Sequence, residues 1–279
     1  MLISFCAAVN KESVCLSFFI GLFSSAKIEK IRVILLVLEK NNGSFVKDWF
    51  LFSIFVPNTD AMIQIHNLGL ADSIFNQYMA ELRDAVIQQD RMRFRRNLER
   101  IGEIMAYEIS KTFEYDDEEV TTPLGIKEIR TMHEQPVIAT ILRAGLPFHN
   151  GMLSMMDQAD SAFIAAYRKY DKNEDSEIRV EYFSSPDIED RVLILCDPLL
   201  ATGESIVKTL EGLTEEMEPK HIHIAVAVAS QDGLDYVQTY LSRKPVTLWV
   251  GSIDEELTAR AYVVPGMGDV GDLAYGEKR

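Results

Sequence analysis

The chain reads as an α/β protein, a parallel sheet with helices on both faces. Three observations predict this. Near-continuous apolar runs of strand length recur at Val137–Leu142, Ala162–Tyr167, Val192–Cys196, His221–Val228 and Val246–Val250, as expected of strands covered on both sides. Helical stripes fall between them, around Phe148–Met156, Ser205–Met217 and Asp232–Leu241. Strand and helix therefore alternate, which is the sequence form of a parallel sheet. Ligands gather at the carboxyl ends of strands in such sheets, so chemical residues should follow the apolar runs.

A chain of 279 residues accommodates one large α/β domain and an appendage, and its 47% hydrophobic and 25% charged residues are ordinary for a globular protein. The net charge of −15, from 28 basic and 43 acidic residues, repels nucleic-acid backbones and anionic membranes, so neither is an expected partner. An anionic substrate must then be drawn by local cations. Cys6, Cys15 and Cys196 have no metal-ligand spacing, which suits a reducing cytoplasm.

Residues 1–61 differ from the rest. Their apolar patches, Val14–Phe23, Ile31–Leu38 and Trp49–Val56, are interrupted by charges and fall short of the roughly 18 apolar residues of a spanning helix. No basic leading region marks a signal peptide. The expectation is a non-catalytic extension, upstream sequence from a misplaced start with Met62 as the true first residue. Attachment to a membrane surface fits poorly with so little basic charge. The catalytic domain is then 62–279.

Along that domain, Ile74–Val86 and Met92–Phe113 carry helical periodicity, the second with Phe94, Leu98, Ile101 and Met105 on one stripe. Its arginines 91, 93, 95, 96 and 100 read as a solvated face, with a phosphate or a neighbouring subunit as the rival. Tyr115–Val120 is expected to be a solvated acidic loop and Thr122–Gly125 a turn. Arg143 ends the first strand beside Ala144 and Gly145, where a guanidinium can offer its fork of donors to phosphate. Arg168 ends the second strand in the same way. Lys169–Phe183 is polar, then alternates at Ile178, Val180 and Tyr182, as a hairpin would. His221 and His223 share a strand face; with no carboxylate or thiol nearby in sequence they read as structural, not as metal ligands.

The stretch Arg191–Ser205 is the most informative. Behind the strand Val192–Cys196 come an acid, Asp197, a small-residue loop, Ala201-Thr202-Gly203-Glu204-Ser205, and a helix start. Free backbone N–H groups and the helix dipole there make an anion cradle. Asp197 can accept hydrogen bonds from two adjacent sugar hydroxyls, so the pair describes a phosphorylated ribose. The loop is neither G-x-x-x-x-G-K-[ST] nor G-x-G-x-x-G. In the tail Ala261–Gly276, four glycines let backbone approach a ligand closely, which suits a flat heterocycle; no helical or strand period is seen.

The wording D-P-x-L-A-T-G-x-S at 197–205 resembles the loop that binds phosphoribosyl pyrophosphate (PRPP) in type I phosphoribosyltransferases, in the form found in the uracil phosphoribosyltransferase family. I-L-R-A-G-L at 141–146 is similar to that family's pyrophosphate loop, and Y-V-V-P-G-M-G-D-V-G-D at 262–272 to its uracil signature. The resemblance, spanning about 62–276, implies the type I fold with a mobile flap at 169–183 and an N-terminal helical arm packing between subunits. It implies transfer of phosphoribose from PRPP to uracil, giving UMP and diphosphate, with Mg²⁺ carried mainly by PRPP. Arg143, Arg168, Asp197 and Asp269 would be catalytic. Together with 198–205 (Pro198, Leu199, Leu200, Ala201, Thr202, Gly203, Glu204, Ser205) they would bind PRPP. Val263, Gly268, Asp269 and Val270 would contact uracil, largely through backbone. A homo-oligomer, dimer or tetramer, and activation by GTP also follow from the resemblance, without placing a GTP site. Glu204, Val270 and Leu273 depart from the family's glycine, alanine and basic residue; Glu204 is expected in the helix's first turn, pointing outward. The alternatives are a non-catalytic nucleotide-binding regulator of the same fold and a phosphoribosyltransferase for another base.

Overall fold

The computed structural model describes residues 63–165 and 182–278 in full, and strand backbone alone for 2–9, 12–20, 31–41, 44–54, 166–170 and 176–181. Two compact units result, Met1–Ala61 and Met62–Arg279. In the first, strands β1 (Leu2–Val9), β2 (Glu12–Ile20), β3 (Ile31–Asn41) and β4 (Ser44–Ile54) pair in sequence order as an antiparallel sheet. Met62, the expected first residue of the domain, lies outside the described residues.

The second unit runs β5 (Gln64–Asn67), α1 (Ile74–Arg83), α2 (Arg91–Ser110), the hairpin β6 (Tyr115–Thr122) and β7 (Gly125–Met132), β8 (Val137–Leu142), α3 (Leu146–Met155), β9 (Asp160–Tyr170), β10 (Ser176–Ser184), β11 (Val192–Cys196), β12 (Leu199–Leu200), α4 (Glu204–Leu213), β13 (His221–Ser230), α5 (Gln231–Leu241), β14 (Val246–Asp254), β15 (Glu256–Leu257), β16 (Val263–Val264) and α6 (Val270–Tyr275). The main sheet has the order β10-β9-β8-β11-β13-β14-β5, and every pair is parallel except β10 with β9. The five anticipated strands and three core helices are all present.

Side chains alternate faces along each strand, and both faces are dry. Leu193 and Leu195 join α4 and α5 in one cluster, with Ile206, Leu210, Val237 and Leu241. Ile194 and Cys196 join α1, α2 and α3 in the other, with Phe75, Leu98, Ile101 and Phe148. This is why the strand runs are nearly continuous in apolar residues. Asp90 caps α2, accepting from the N–H groups of Met92 and Arg93. Helices α2 and α3 cross closely because two glycines face each other's backbone: a β-carbon on Gly102 would strike the Phe148 carbonyl oxygen, and one on Gly151 that of Glu99.

Several expectations need correction. The acidic stretch 115–120 is no loop but strand β6; the ribbon β6–β7 is mostly solvent-exposed on both faces, so its sequence shows no apolar alternation. Helix α1 ends at Arg83 rather than at Val86, because the Asp84 carboxylate accepts from the N–H groups of Val86 and Ile87 and turns the chain. The tail contains β16 and α6. The α2 arginines lie on a largely solvated face as expected, with Arg91, Arg93 and Arg96 exposed, but four of the five also have partners within the chain: Arg93 with Glu81, Arg96 with Glu99 and Glu103, Arg95 with the Ala274 carbonyl, Arg100 with Asn97. The expected 169–183 hairpin has the backbone of paired strands β9 and β10; residues 171–175 lie outside the described residues. No described helix is long and apolar enough to cross a membrane.

At the amino ends of β5, β11, β13 and β14 lies a cavity of about 370 Å³ lined by His66, His221 and His223. Both β13 histidines have structural partners: His221 Nε2 is 2.9 Å from Thr247 Oγ1, and Trp249 Nε1 donates to His223 Nδ1 at 3.1 Å. Burial holds His223 at about 3, and burial lowers His221 and His149 as well. An unfolded histidine titrates near about 6.5, so below that pH the unfolded chain takes up protons that the folded chain refuses. The stability these histidines contribute is therefore lost as pH drops from about 6.5 toward 3. Urea unfolding at pH 7 and pH 5 should show it by difference: between those pH values His223→Gln should lose less stability, or gain more, than the unsubstituted protein.

Candidate active site

Strand order reverses between β8 and β11. From β8 the chain crosses by α3 to β9 on one side, and from β11 it crosses by α4 to β13 on the other. Neighbouring carboxyl ends whose crossovers diverge leave a crevice between them. There a pocket of about 280 Å³ is lined by Arg143 from the β8 end, Asp197, Leu199 and Ser205 from the β11 end, and Gly268, Asp269 and Val270 from the tail. Segments far apart in sequence thus meet on one cavity.

The small-residue loop is anchored from behind. Ser230, which caps α5, donates from Oγ to the Ala201 carbonyl at 2.5 Å and accepts from Gly233 N–H at 2.9 Å. Gly203 caps α4 with φ of 82°, and a β-carbon there would lie 2.9 Å from the Gly233 carbonyl oxygen. The positive φ therefore falls on Gly203, not on Glu204, which opens α4 in its first turn, partly exposed, where the dipole favours an acid. Leu200 is buried and pairs with Ala229, and the Pro198 carbonyl accepts from Ala227 and Val228. These residues, with Ala201, Thr202, Gly203 and Glu204, form the loop but do not line the cavity.

Asp197 is partly buried, and burial raises its carboxyl to about 7 against the opposing hydrogen bond from Leu199 N–H at 3.4 Å. Its neighbour Cys196 is buried, with Sγ 3.1 Å from Met152 Sδ and its thiol pushed up by burial, the state of an inert thiol. Arg143 is held by the tail: Nη2 is 3.2 Å from Asp272 Oδ1 and Nη1 donates to the Gly276 carbonyl at 3.3 Å, while Nε is buried without a partner. Arg168 stands on β9 opposite Ile178; its side chain lies outside the described residues.

In the tail, Asp269 caps α6, accepting from Asp272 N–H at 3.0 Å. Gly268 has φ of 81°, a conformation that disfavours a side chain. Val270 is buried in the core at the start of α6. Val263 is also buried, its strand paired with β15, and does not line the pocket. Arg260, Tyr262 and Lys278 do line it, and no role was anticipated for them. Tyr262 opens the quoted tail motif, whereas Arg260 and Lys278 carry no signal beyond lying near it.

The family model described as uracil phosphoribosyltransferase matches residues 70–277. A Porphyromonas gingivalis protein named uracil phosphoribosyltransferase is 49% identical over 216 residues, 77% of this chain and 100% of the relative. One of the same name from Pyrococcus furiosus is 34% identical over 205 residues, 72% of this chain and 85% of the relative. Among solved structures, the AQ2163 protein from Aquifex aeolicus superposes with a TM-score of 0.68 at 27% identity, covering 76% of this chain and 98% of that one.

The raised Asp197 carboxyl makes a measurable demand. Its folded value lies above the unfolded value of about 3.9, so the stability this one group contributes at low pH is lost as pH rises from about 4 through 7. Asp197→Asn does not titrate. Its Tm should exceed that of the unsubstituted protein by a few degrees at pH 8 and by much less at pH 5; an equal difference at both pH values would refute the assignment.

Proposed function

The chain belongs to the uracil phosphoribosyltransferase family, and from that premise we propose how its pocket works. The protein is a pentosyltransferase of the type I fold: phosphoribose passes from PRPP to uracil N1, giving UMP and diphosphate. The observation that carries the residue assignment is the meeting of the β8 end, the 197–205 loop and the 268–270 segment on one cavity.

Backbone N–H groups at the start of α4, with Thr202 and Ser205, hold the 5′-phosphate, and Asp197 accepts from the two ribose hydroxyls. Arg143 exchanges Asp272 and Gly276 for the diphosphate and stabilises it as it leaves, joined by Arg168 from β9. Gly268, Asp269 and Val270, with Val263 behind them, present backbone to the uracil ring, and a pocket of backbone groups has no matching partners for a purine. The transition state has oxocarbenium character, so positioning and electrostatics carry the rate, with no protein nucleophile. Asp197 and Asp269 offer oxygen donors of the kind Mg²⁺ accepts. Held there mainly through PRPP, the ion would neutralise charge on the departing diphosphate.

The same reading places catalysis in 62–279 and none in 1–61, supported by a family match that begins at residue 70. It takes the protein to be a cytoplasmic homo-oligomer that responds to GTP, with no residue assigned to that effector.

Product analysis tests the reading. Purified protein with Mg²⁺, PRPP and a panel of uracil, hypoxanthine, adenine and orotate should yield UMP and diphosphate from uracil alone. Turnover of another base, or of none, would replace the reading with another specificity or with a binding protein. Arg143→Ala should lower kcat by about 10²–10³-fold, the usual effect of losing one group that stabilises developing charge, with the fold intact by circular dichroism.

A further inference from the structure

The segment that turns the chain into the base pocket is held by a charged pair outside it. Arg83 is the last residue of α1 and Asp254 the last of β14. Their side chains form a fork: Nη1 to Oδ2 and Nη2 to Oδ1, each 2.8 Å. Between them they hold both backbone groups of Gly266. Asp254 Oδ2 accepts from Gly266 N–H at 2.8 Å, and Arg83 Nη1 donates to the Gly266 carbonyl at 2.9 Å. Asp254 is only 6% exposed and accepts three hydrogen bonds. Gly266 itself sits at φ of 58°, where a β-carbon would collide with the Val263 carbonyl. Two residues on, Gly268 begins the run 268–271 on the pocket wall.

We propose that Arg83 and Asp254 are positioning residues for base recognition, setting where the 268–270 backbone stands and hence which base it accepts. The proposal rests on the reading that this backbone receives the base. Recognition by main-chain groups is only as selective as their placement, because hydrogen bonds weaken steeply with distance and angle. Of the wall residues 268–271, two are glycines with no side chain to re-pack around a displaced ring. A pair that fixes both the N–H and the carbonyl of one residue removes translation and rotation of the segment together. The fork does not line the pocket, so its loss should spare the sugar-phosphate end, which is anchored separately through Ser230 and Gly233.

Steady-state kinetics of Asp254→Asn and Arg83→Lys, with uracil and PRPP varied in turn, provide the test. Loss of one charge-assisted bond should raise KM for uracil by about tenfold or more. KM for PRPP should stay within about twofold, and the preference for uracil over cytosine in kcat/KM should fall. A lower Tm with an unchanged uracil KM, or a parallel rise in both KM values, would overturn the proposal and leave the pair a structural tie. If both variants fail to fold, amide exchange on the unsubstituted protein decides: slow exchange at Gly266, comparable to the β13 core, supports the clamp, and fast exchange refutes it. Failure of the parent reading is separate, since it would show as no turnover of uracil by the unsubstituted enzyme.

Discussion

The reversal of strand order between β8 and β11 is the constraint on which the site depends. Both strands are buried on two faces, so neither can end in solvent-facing side chains; their chemistry has to be placed just past the sheet. Thr140 on β8 pairs with Cys196 on β11, and Thr140 Oγ1 reaches the Cys196 carbonyl at 3.4 Å. From that shared level Arg143 lies three residues on and Asp197 one. Because α3 and α4 leave toward opposite sides, nothing fills the space between, and the tail can enter it. A β-carbon on Gly145 would lie 3.0 Å from the Cys196 carbonyl oxygen and 2.8 Å from that of Ile141, so the turn after β8 stays close to the neighbouring strand.

Charge adds a second requirement. A protein with net charge −15 must bind a highly anionic substrate, and carboxylates stand at the mouth of its own pocket. Two features reduce the conflict. Burial raises the Asp197 carboxyl to about 7, so near neutral pH that group carries only part of its charge. Arg143 meanwhile lines the same cavity, its guanidinium oriented there by Asp272. Arg260 and Lys278 bring further cations to the same cavity. The local field at the crevice can thus differ in sign from that of the whole surface.

Strands buried on both faces announce themselves by composition, which is why all five apolar runs could be read directly, and helices with a wide apolar stripe nearly as well. The loop at 197–205 was readable for another reason: a tight turn into a helix start needs small residues and a glycine at fixed offsets, and Gly203 supplies the positive φ. What could not be read depends on partners distant in sequence. Strand β5 is four mostly polar residues, QIHN, defined only by pairing with β14. Ribbon β6–β7 has no apolar period because neither face is covered. Helix α6 has six residues and one capping aspartate, too short for a period to emerge. The contact of Arg143 with Asp272 spans 129 positions and that of Arg83 with Asp254 spans 171, and no local pattern reports either.

The tail shows how these two kinds of information combine. Its glycines free the backbone to approach a ligand, but the same freedom would leave the segment without a fixed shape, since glycine loses more conformational entropy on ordering than any other residue. Local sequence cannot supply the missing rigidity, so it comes from elsewhere. Asp254 and Arg83 hold Gly266, Asp269 caps α6, Arg95 from α2 binds the Ala274 carbonyl, and Arg143 binds that of Gly276. Three of these four ties are charged side chains on the large domain gripping tail backbone. They explain why Arg95, on a helix face that reads as solvated, is spent on the C-terminal segment. A pocket wall rich in glycine therefore depends on side chains outside it for its shape, and the helices preceding the sheet supply part of them.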